Sequence, residues 1–341
     1  MAYNRAMLLL FFFSAASAQD AVKLEITRAG QDGTAPPAFI VLPQQAISAL
    51  DVSVQCGGIT EEHHGAVAAG ERVELPLAVP VGEHTCTGAL GLRLSDGSEG
   101  EMPLSFSVQM YPPLELMVDR AGVDLEGQRL TARLDRDAAR IDITATGVGG
   151  VTLGTTSHTL SAHPANAPIT DLTWDSTDPS AEVIRLEVRA QDTAGFWAAV
   201  ELFPWFYDIP HEDVVFASGA ADIVPEYVGH LEAAMAEIES VQARYGEHAE
   251  INLYVGGFTD TVGSAATNRA LSQRRARAIA AWFRSAGFSA PVYYQGFGED
   301  GLAVPSGDEV DEPANRRAAY IIAAQPPPIS STLPGDSWTA L

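Results

Sequence analysis

Residues 251–264 read Ile251-Asn252-Leu253-Tyr254-Val255-Gly256-Gly257-Phe258-Thr259-Asp260-Thr261-Val262-Gly263-Ser264, and this stretch decides the fold of the last third of the chain. Ile251 to Val255 is a short apolar run of β-forming residues and reads as a strand. Asp260 ends it at a glycine-bounded turn. Ser264 is a good N-cap for a helix running to about Ala286, where Gly287 closes it. Working outward, Val228, Leu231, Met235, Ile238, Val241 and Tyr245 recur at helical spacing before the strand, and Gly246 stops that helix. Asp213 to Ala217, Val292 to Gln295 and Arg317 to Ala323 supply three more strands. The predicted order over residues 209–325 is β-α-β-α-β-β, a compact α/β sandwich. Residues 326–341, opened by Pro326-Pro327-Pro328, are expected to be a disordered tail.

On the helix that follows Asp260, the residues Asn268, Leu271 and Arg275 share one face at spacings of three and four. Strand end and helix can therefore meet at one pocket. A zwitterionic ligand needs a carboxylate for its ammonium and a guanidinium for its own carboxylate, held apart at fixed distance. Asp260 and Arg275 have those chemistries. The alternative is an internal salt bridge between the two that merely ties strand to helix.

Four separated segments, Gly257 to Ser264, Asn268 to Ala276, Gly296-Phe297-Gly298-Glu299 and Asn315-Arg316-Arg317, resemble in that order the landmarks of the outer-membrane protein A-like domain. The resemblance implies a non-enzymatic domain that binds peptidoglycan through the diaminopimelate of its stem peptide, gripped by Asp260 and Arg275. It also implies a pocket lined by Thr259, Asn268 and Leu271, with Arg316 or Arg317 meeting other carboxylates or carbonyls of the peptide. Phe216 and its neighbour on the first strand are implied contacts too. That neighbour is Ala217, where many members carry an aspartate, so one polar contact is expected to be missing.

The text before residue 209 has a different character. From Ala21 to Met110 short β-type runs alternate with Gly and Pro: Val22 to Ile26, Ala38 to Leu42, Asp51 to Gln55, Arg72 to Leu77 and Leu104 to Val108. Residues 19–110 are expected to be a β-sandwich-like domain. In an exported chain Cys56 and Cys86 most simply form one disulfide, worth roughly 3 to 4 kcal/mol on the chain-entropy model. Tyr111-Pro112-Pro113 opens a second β-segment, residues 111–208, with Leu114 to Val118, Arg140 to Ala145, Val183 to Ala190 and Trp197 to Phe203 as strands. Its closing stretch, Leu186 to Trp197, resembles the last hairpin of bacterial immunoglobulin-like domains. The fold class expected of the whole is multidomain: two all-β, sandwich-like domains followed by the α/β sandwich.

The beginning of the chain reads as a signal peptide over residues 1–18, with Arg5, the apolar run Met7 to Phe13 and Ala16-Ser17-Ala18 before Gln19. No later segment approaches the roughly 20 apolar residues of a membrane helix. Gln19 stands where a lipoprotein would carry cysteine. The predicted location is the periplasm, in association with the outer membrane and cell wall. Forty-four acidic against 20 basic side chains, a formal charge of −24, exclude nucleic acid as a partner. No cofactor or metal is expected. Glu61-Glu62-His63-His64 reads as an exposed turn, since no third ligand is placed by spacing. Trp174, Trp197, Trp205 and Trp282 read as core or domain-junction packing rather than sugar platforms. The sequence leaves open an envelope partner for the β-domains, homodimerisation, and two alternative functions: a wall-anchored part of a secretion or motor-associated machine, or a wall hydrolase built on Asp213, Asp222, Glu226 or Glu299.

Overall fold

The computed structural model describes residues 21–341, apart from 179, 218, 248, 328, 332 and 336, and the backbone of residues 5–7. The leader expected over residues 1–18 lies outside the described residues, save that Arg5–Met7 pair antiparallel with Val22–Thr27. Among the described residues no helix is long and apolar enough to cross a membrane.

Two β-sandwiches come first, as the short punctuated strands predict. In the first, Val22–Thr27, Ala38–Pro43 and Val73–Pro76 form one sheet, and Ala29–Gln31, Ile47–Cys56, Ile59–Val67, Gly82–Leu94 and Glu99–Tyr111 the other. Strict alternation sends Leu50, Val52 and Val54 from one strand and Leu104, Phe106 and Val108 from another into the same core, against Ile26, Phe39 and Val41. Burying one such aliphatic side chain stabilises by about 1.5–3 kcal/mol. Cys56 and Cys86 face each other in register on neighbouring strands and are disulfide-bonded. The segment expected to be a turn, Glu61 to His64, is instead the middle of the edge strand Ile59–Val67. Its polar side chains are tolerated there because an edge strand of an exposed sheet face is solvated. Both ring nitrogens of His64 meet carboxylates, Asp51 at 2.8 Å and Glu62 at 3.5 Å.

The second sandwich packs a sheet of Leu116–Val118, Arg129–Leu134 and Ile169–Thr173 on one of Ala138–Gly147, Thr152–His163, Val183–Asp192 and Trp197–Leu202. Trp174 fills its centre with Ile141, Ile143, Leu186 and Val188. Trp197 corrects the expectation made for it: it lies on the outer face, with the guanidinium of Arg189 5.2 Å from its ring centre.

The third unit is the α/β sandwich, with strands β1 (Phe206–Asp208), β2 (Asn252–Phe258), β3 (Val292–Gly298), β4 (Ala318–Ala323) and β5 (Thr339–Ala340) and helices α1 (Val228–Tyr245) and α2 (Ala265–Ser285). The sheet order is β1-β4-β2-β3-β5, with β2 and β3 parallel and the other pairs antiparallel. Both helices share a core with one face of the sheet through Leu231, Ile238, Ile279, Phe283, Leu253, Val255 and Ile322. The expected order is present, but its first strand is not Asp213 to Ala217. The place beside β4 is taken by β1, and the Asp213 carboxylate accepts the Ala318 amide at 3.1 Å where a ladder would continue. The tail also departs from expectation, because Leu333 and Trp338 pack on the free sheet face and β5 pairs with Tyr293 and Tyr294.

The second sandwich meets the α/β unit at Glu182, which accepts the Tyr245 hydroxyl at 2.9 Å and pairs with Arg244 at 3.2 Å, while Trp205 stacks on Tyr245 at 4.8 Å. Burial, and then the Glu182 carboxylate, push the Tyr245 hydroxyl up from 10 to about 12. Between those values the folded chain keeps a proton that the unfolded chain has lost, so this group's contribution is complete below pH 10 and disappears as pH rises to 12. The stability gap between wild type and Tyr245→Phe, followed by denaturant unfolding, is therefore expected to narrow across that window. A constant gap would show that the hydroxyl titrates normally.

Candidate functional site

The site is assembled where the parallel strands β2 and β3 end against α2. A Cβ added to Gly257 would lie 2.5 Å from the Ser272 carbonyl oxygen, and one on Gly296 would lie 2.2 Å from the Gln273 nitrogen. Only glycine permits this approach. The fully buried Ser272 fills the seam, its hydroxyl accepting the Gly298 amide at 2.9 Å and donating to the Arg269 carbonyl at 3.0 Å. Ser264 caps α2 as predicted, accepting the Thr267 amide at 3.2 Å.

Beyond this seam β2 delivers Thr259 and Asp260, and β3 delivers Glu299. Asn268, in the first turns of α2, joins them by donating to the Asp260 carbonyl at 3.3 Å and to the Glu299 carboxylate at 2.7 Å. Asn268 thus holds the two strand ends together. Thr259 and Asp260 are buried, Asp260 at 8% exposure. Leu271 is half-buried on the same helix.

The Asp260 carboxylate does not pair with Arg275. Its partner is Arg316, with Nη1 at 2.6 Å from Oδ2, and Arg316 is also bound by Asp311. These two carboxylates raise the Arg316 pKa. The alternative of a direct Asp260–Arg275 bridge is thereby replaced by a bridge across 56 residues that sequence spacing does not reveal. Arg316, implied to meet a ligand's carboxylates or carbonyls, engages both acids of this chain through Nη1 and also lines the cavity.

Arg275 turns toward the segment before α1. Its Nε donates to the Ala220 carbonyl at 2.9 Å, its Nη2 to the Ala217 carbonyl at 3.3 Å, and its guanidinium lies 5.0 Å from the centre of the Phe216 ring. Ala217 contributes its backbone oxygen where an aspartate side chain is missing. Arg317 donates to the Gly301 carbonyl at 2.9 Å and covers the Phe258 ring at 3.9 Å. Arg275, Arg316 and Arg317 surround a cavity of about 160 Å³ together with Asp213, Phe216 and Phe258. Burial lowers the pKa of Arg275 and Arg317, and the positive charge of Arg316 lowers that of Arg275 further, partly offset by Asp260. Desolvated guanidiniums crowded in this way gain more from an incoming carboxylate than exposed ones do.

Residues 215–316 match the model of the OmpA family. This segment of the chain is an OmpA-family domain. The outer membrane protein P5 of Haemophilus influenzae is 34% identical over 90 residues, which are 26% of this chain and 23% of that protein. The chain therefore spans less than a quarter of that relative's length. The peptidoglycan-associated lipoprotein from Burkholderia pseudomallei is similar in structure, with 20% identity, coverage of 33% of this chain and 88% of that one, and a TM-score of 0.26. The FN1–FN3 domains of chicken CNTN1 are a neighbour at 11% identity, covering 52% of this chain and 65% of that one, with a TM-score of 0.29.

Within the OmpA-family domain the predicted residues divide into two groups. Asp260, Asn268, Thr259 and Arg316 lie around one strand end, and Arg275, Phe216 and Ala217 lie across the cavity from Arg317. Sequence reading missed Ala220 and Asp311; both are reached only through long-range contacts from Arg275 and Arg316. Removing Arg316 would leave the Asp260 carboxylate without its guanidinium. Arg316→Ala is expected to cost about 1–2 kcal/mol, less than a fully buried pair because Arg316 is part-exposed. Asp311→Ala is expected to change stability by less than about 0.5 kcal/mol, since that carboxylate is exposed. Urea unfolding of both variants checks the ranking.

Proposed function

We propose that this protein binds peptidoglycan noncovalently through residues 209–325 and tethers the envelope, or a partner held by its β-domains, to the cell wall. The observation that carries this reading is the placing of Asp260 at a strand end, bound to Arg316, beside a cavity where three guanidiniums meet one carboxylate, Asp213. In a chain of net charge −24 that cavity is a local reversal of sign. A stem peptide ending in diaminopimelate offers matching chemistry, an ammonium for Asp260 and a carboxylate for Arg275. Arg316, bound to Asp260, fixes the carboxylate in place before the ligand arrives, which lowers the entropy lost on binding. Asn268 and Thr259 hold the strand end, and Phe216 holds the Arg275 guanidinium by its ring face. The domain acts by affinity and performs no chemistry. Its location on this reading is the periplasm, against the wall.

The mature protein is expected to co-sediment with purified sacculi. Truncating one partner of a desolvated charge pair costs about 2 kcal/mol or more, so Asp260→Ala and Arg275→Ala should each weaken sedimentation at least about tenfold while circular dichroism remains native. Undiminished sedimentation of both variants would remove the clamp. Release of soluble muropeptides by the wild type would instead establish a hydrolase.

A further inference from the structure

The sheet of the OmpA-family domain has a second face, away from the helices, and the chain's own tail covers it. Tyr254 stacks on Tyr293 at 5.1 Å and Phe258 on Phe297 at 5.1 Å, and the edge of Trp338 meets both Tyr254 at 5.1 Å and Phe297 at 5.6 Å. Leu333 is buried in the same cluster. Thr339 and Ala340 extend the sheet beside Tyr294 and Tyr293, and the Leu341 amide donates to the Val292 carbonyl at 3.0 Å.

Phe297, which Trp338 meets directly, and Phe258, stacked on Phe297, occupy equivalent places in the strands that build the site. Phe258 stands two residues before Asp260, and Phe297 two before Glu299, the pair joined by Asn268. Phe258 also supports the guanidinium of Arg317, and its amide donates to the Arg317 carbonyl at 3.0 Å. The Thr259 amide donates to the Gly298 carbonyl at 2.9 Å, so the two strand ends are coupled by backbone as well as by rings. The stacked phenyl rings thus prop the site from behind, and Trp338 closes the stack.

We propose that Leu333 and the segment Trp338 to Leu341 are a buttress of the binding site and that Trp338 is a positioning residue, acting through Phe297 and Phe258 on Asp260, Glu299 and Arg317. The proposal rests on the peptidoglycan reading for what the site holds, but its mechanical part does not need a ligand. Loosening the stack would let the two strand ends move relative to α2 and spread the groups that a ligand must meet together.

The test uses the full mature chain with Trp338→Ala, Trp338→Phe and Thr339→Pro, the last breaking the edge pairing without touching the core. Amide hydrogen exchange without ligand is expected to rise at Phe258 and Thr259 in Trp338→Ala and Thr339→Pro, and to stay near wild type in Trp338→Phe. Sedimentation with sacculi should weaken about three- to thirty-fold in the first two variants, the range of couplings carried through packed side chains. If exchange rises at Tyr293 and Tyr294 but not at Phe258 and Thr259, and sedimentation is unchanged, the tail merely covers the sheet and the buttress is overturned. If the wild type fails to sediment, the peptidoglycan reading falls, and exchange at Phe258 and Thr259 still decides the buttress on its own.

Discussion

The close seating of α2 on the ends of β2 and β3 is the constraint from which the rest of the site follows. Gly257 and Gly296 have no side chains because helix backbone occupies the space. With the helix at that distance, Ser272 can reach Gly298 and Asn268 can reach both strand ends. Had either glycine been alanine, the helix would stand off and Asn268 would span a wider gap than its short amide covers. The residues of the candidate site are consequently placed by backbone approach first and by side-chain chemistry second, which is how a site on rigid elements keeps its precision.

Electrostatics then distinguishes the Asp260 side of the site from the Arg275 side. Asp260 is nearly buried, and a carboxylate taken out of water needs a partner. Arg316 supplies it, and Asp311 on the surface holds Arg316 in turn. Across the cavity, Arg275 and Arg317 are also desolvated; Arg275 donates to the carbonyls of Ala217 and Ala220, Arg317 donates to the Gly301 carbonyl and feels the charges of Asp213 and Asp208, and the flat face of each meets a phenyl ring. Neutral acceptors orient a guanidinium without cancelling its charge. The cavity therefore keeps a positive potential while each wall group remains fixed, the combination that favours an anion over rearrangement of the wall.

How much of this was legible in the sequence depended on the range of the interaction. Local periodicity sufficed for α1, α2 and β2, because Leu231, Ile238 and Val241 or Ile279 and Phe283 pack as the 3.6-residue repeat dictates. Ser264 was readable as a cap for the same reason. The first strand was misplaced because Val214 and Phe216 alternate as a strand would, while β1 is three residues between prolines and carries no pattern of its own. The tail was misread because proline and polar residues dominate its composition, whereas its anchoring depends on two side chains, Leu333 and Trp338, meeting rings some 40 to 80 residues earlier. Asp260 and Arg275 were paired by type, yet the partner of Asp260 is not the arginine on the adjoining helix. Helical spacing says which residues share a face, and it is silent on which distant strand returns beside them.

The joints along the chain follow the same rule as the site. At the first, Arg136 donates to the Pro112 carbonyl and to Gln31, forms an ion pair with the buried Asp192, and lies over the rings of both Tyr111 and Phe196. At the second, Glu182 binds Tyr245 and Arg244 while Trp205 stacks on Tyr245. The first ion pair is nearly buried beside the rings, while the second stays at the surface, where Glu182 of the second sandwich is held by Tyr245 and Arg244 of the α/β unit. Opening the first joint would expose the rings of Tyr111 and Phe196 together with the Arg136–Asp192 pair. An α/β domain joined in this way carries its β-domains in a defined direction, which a flexible polar linker of the same length would not do.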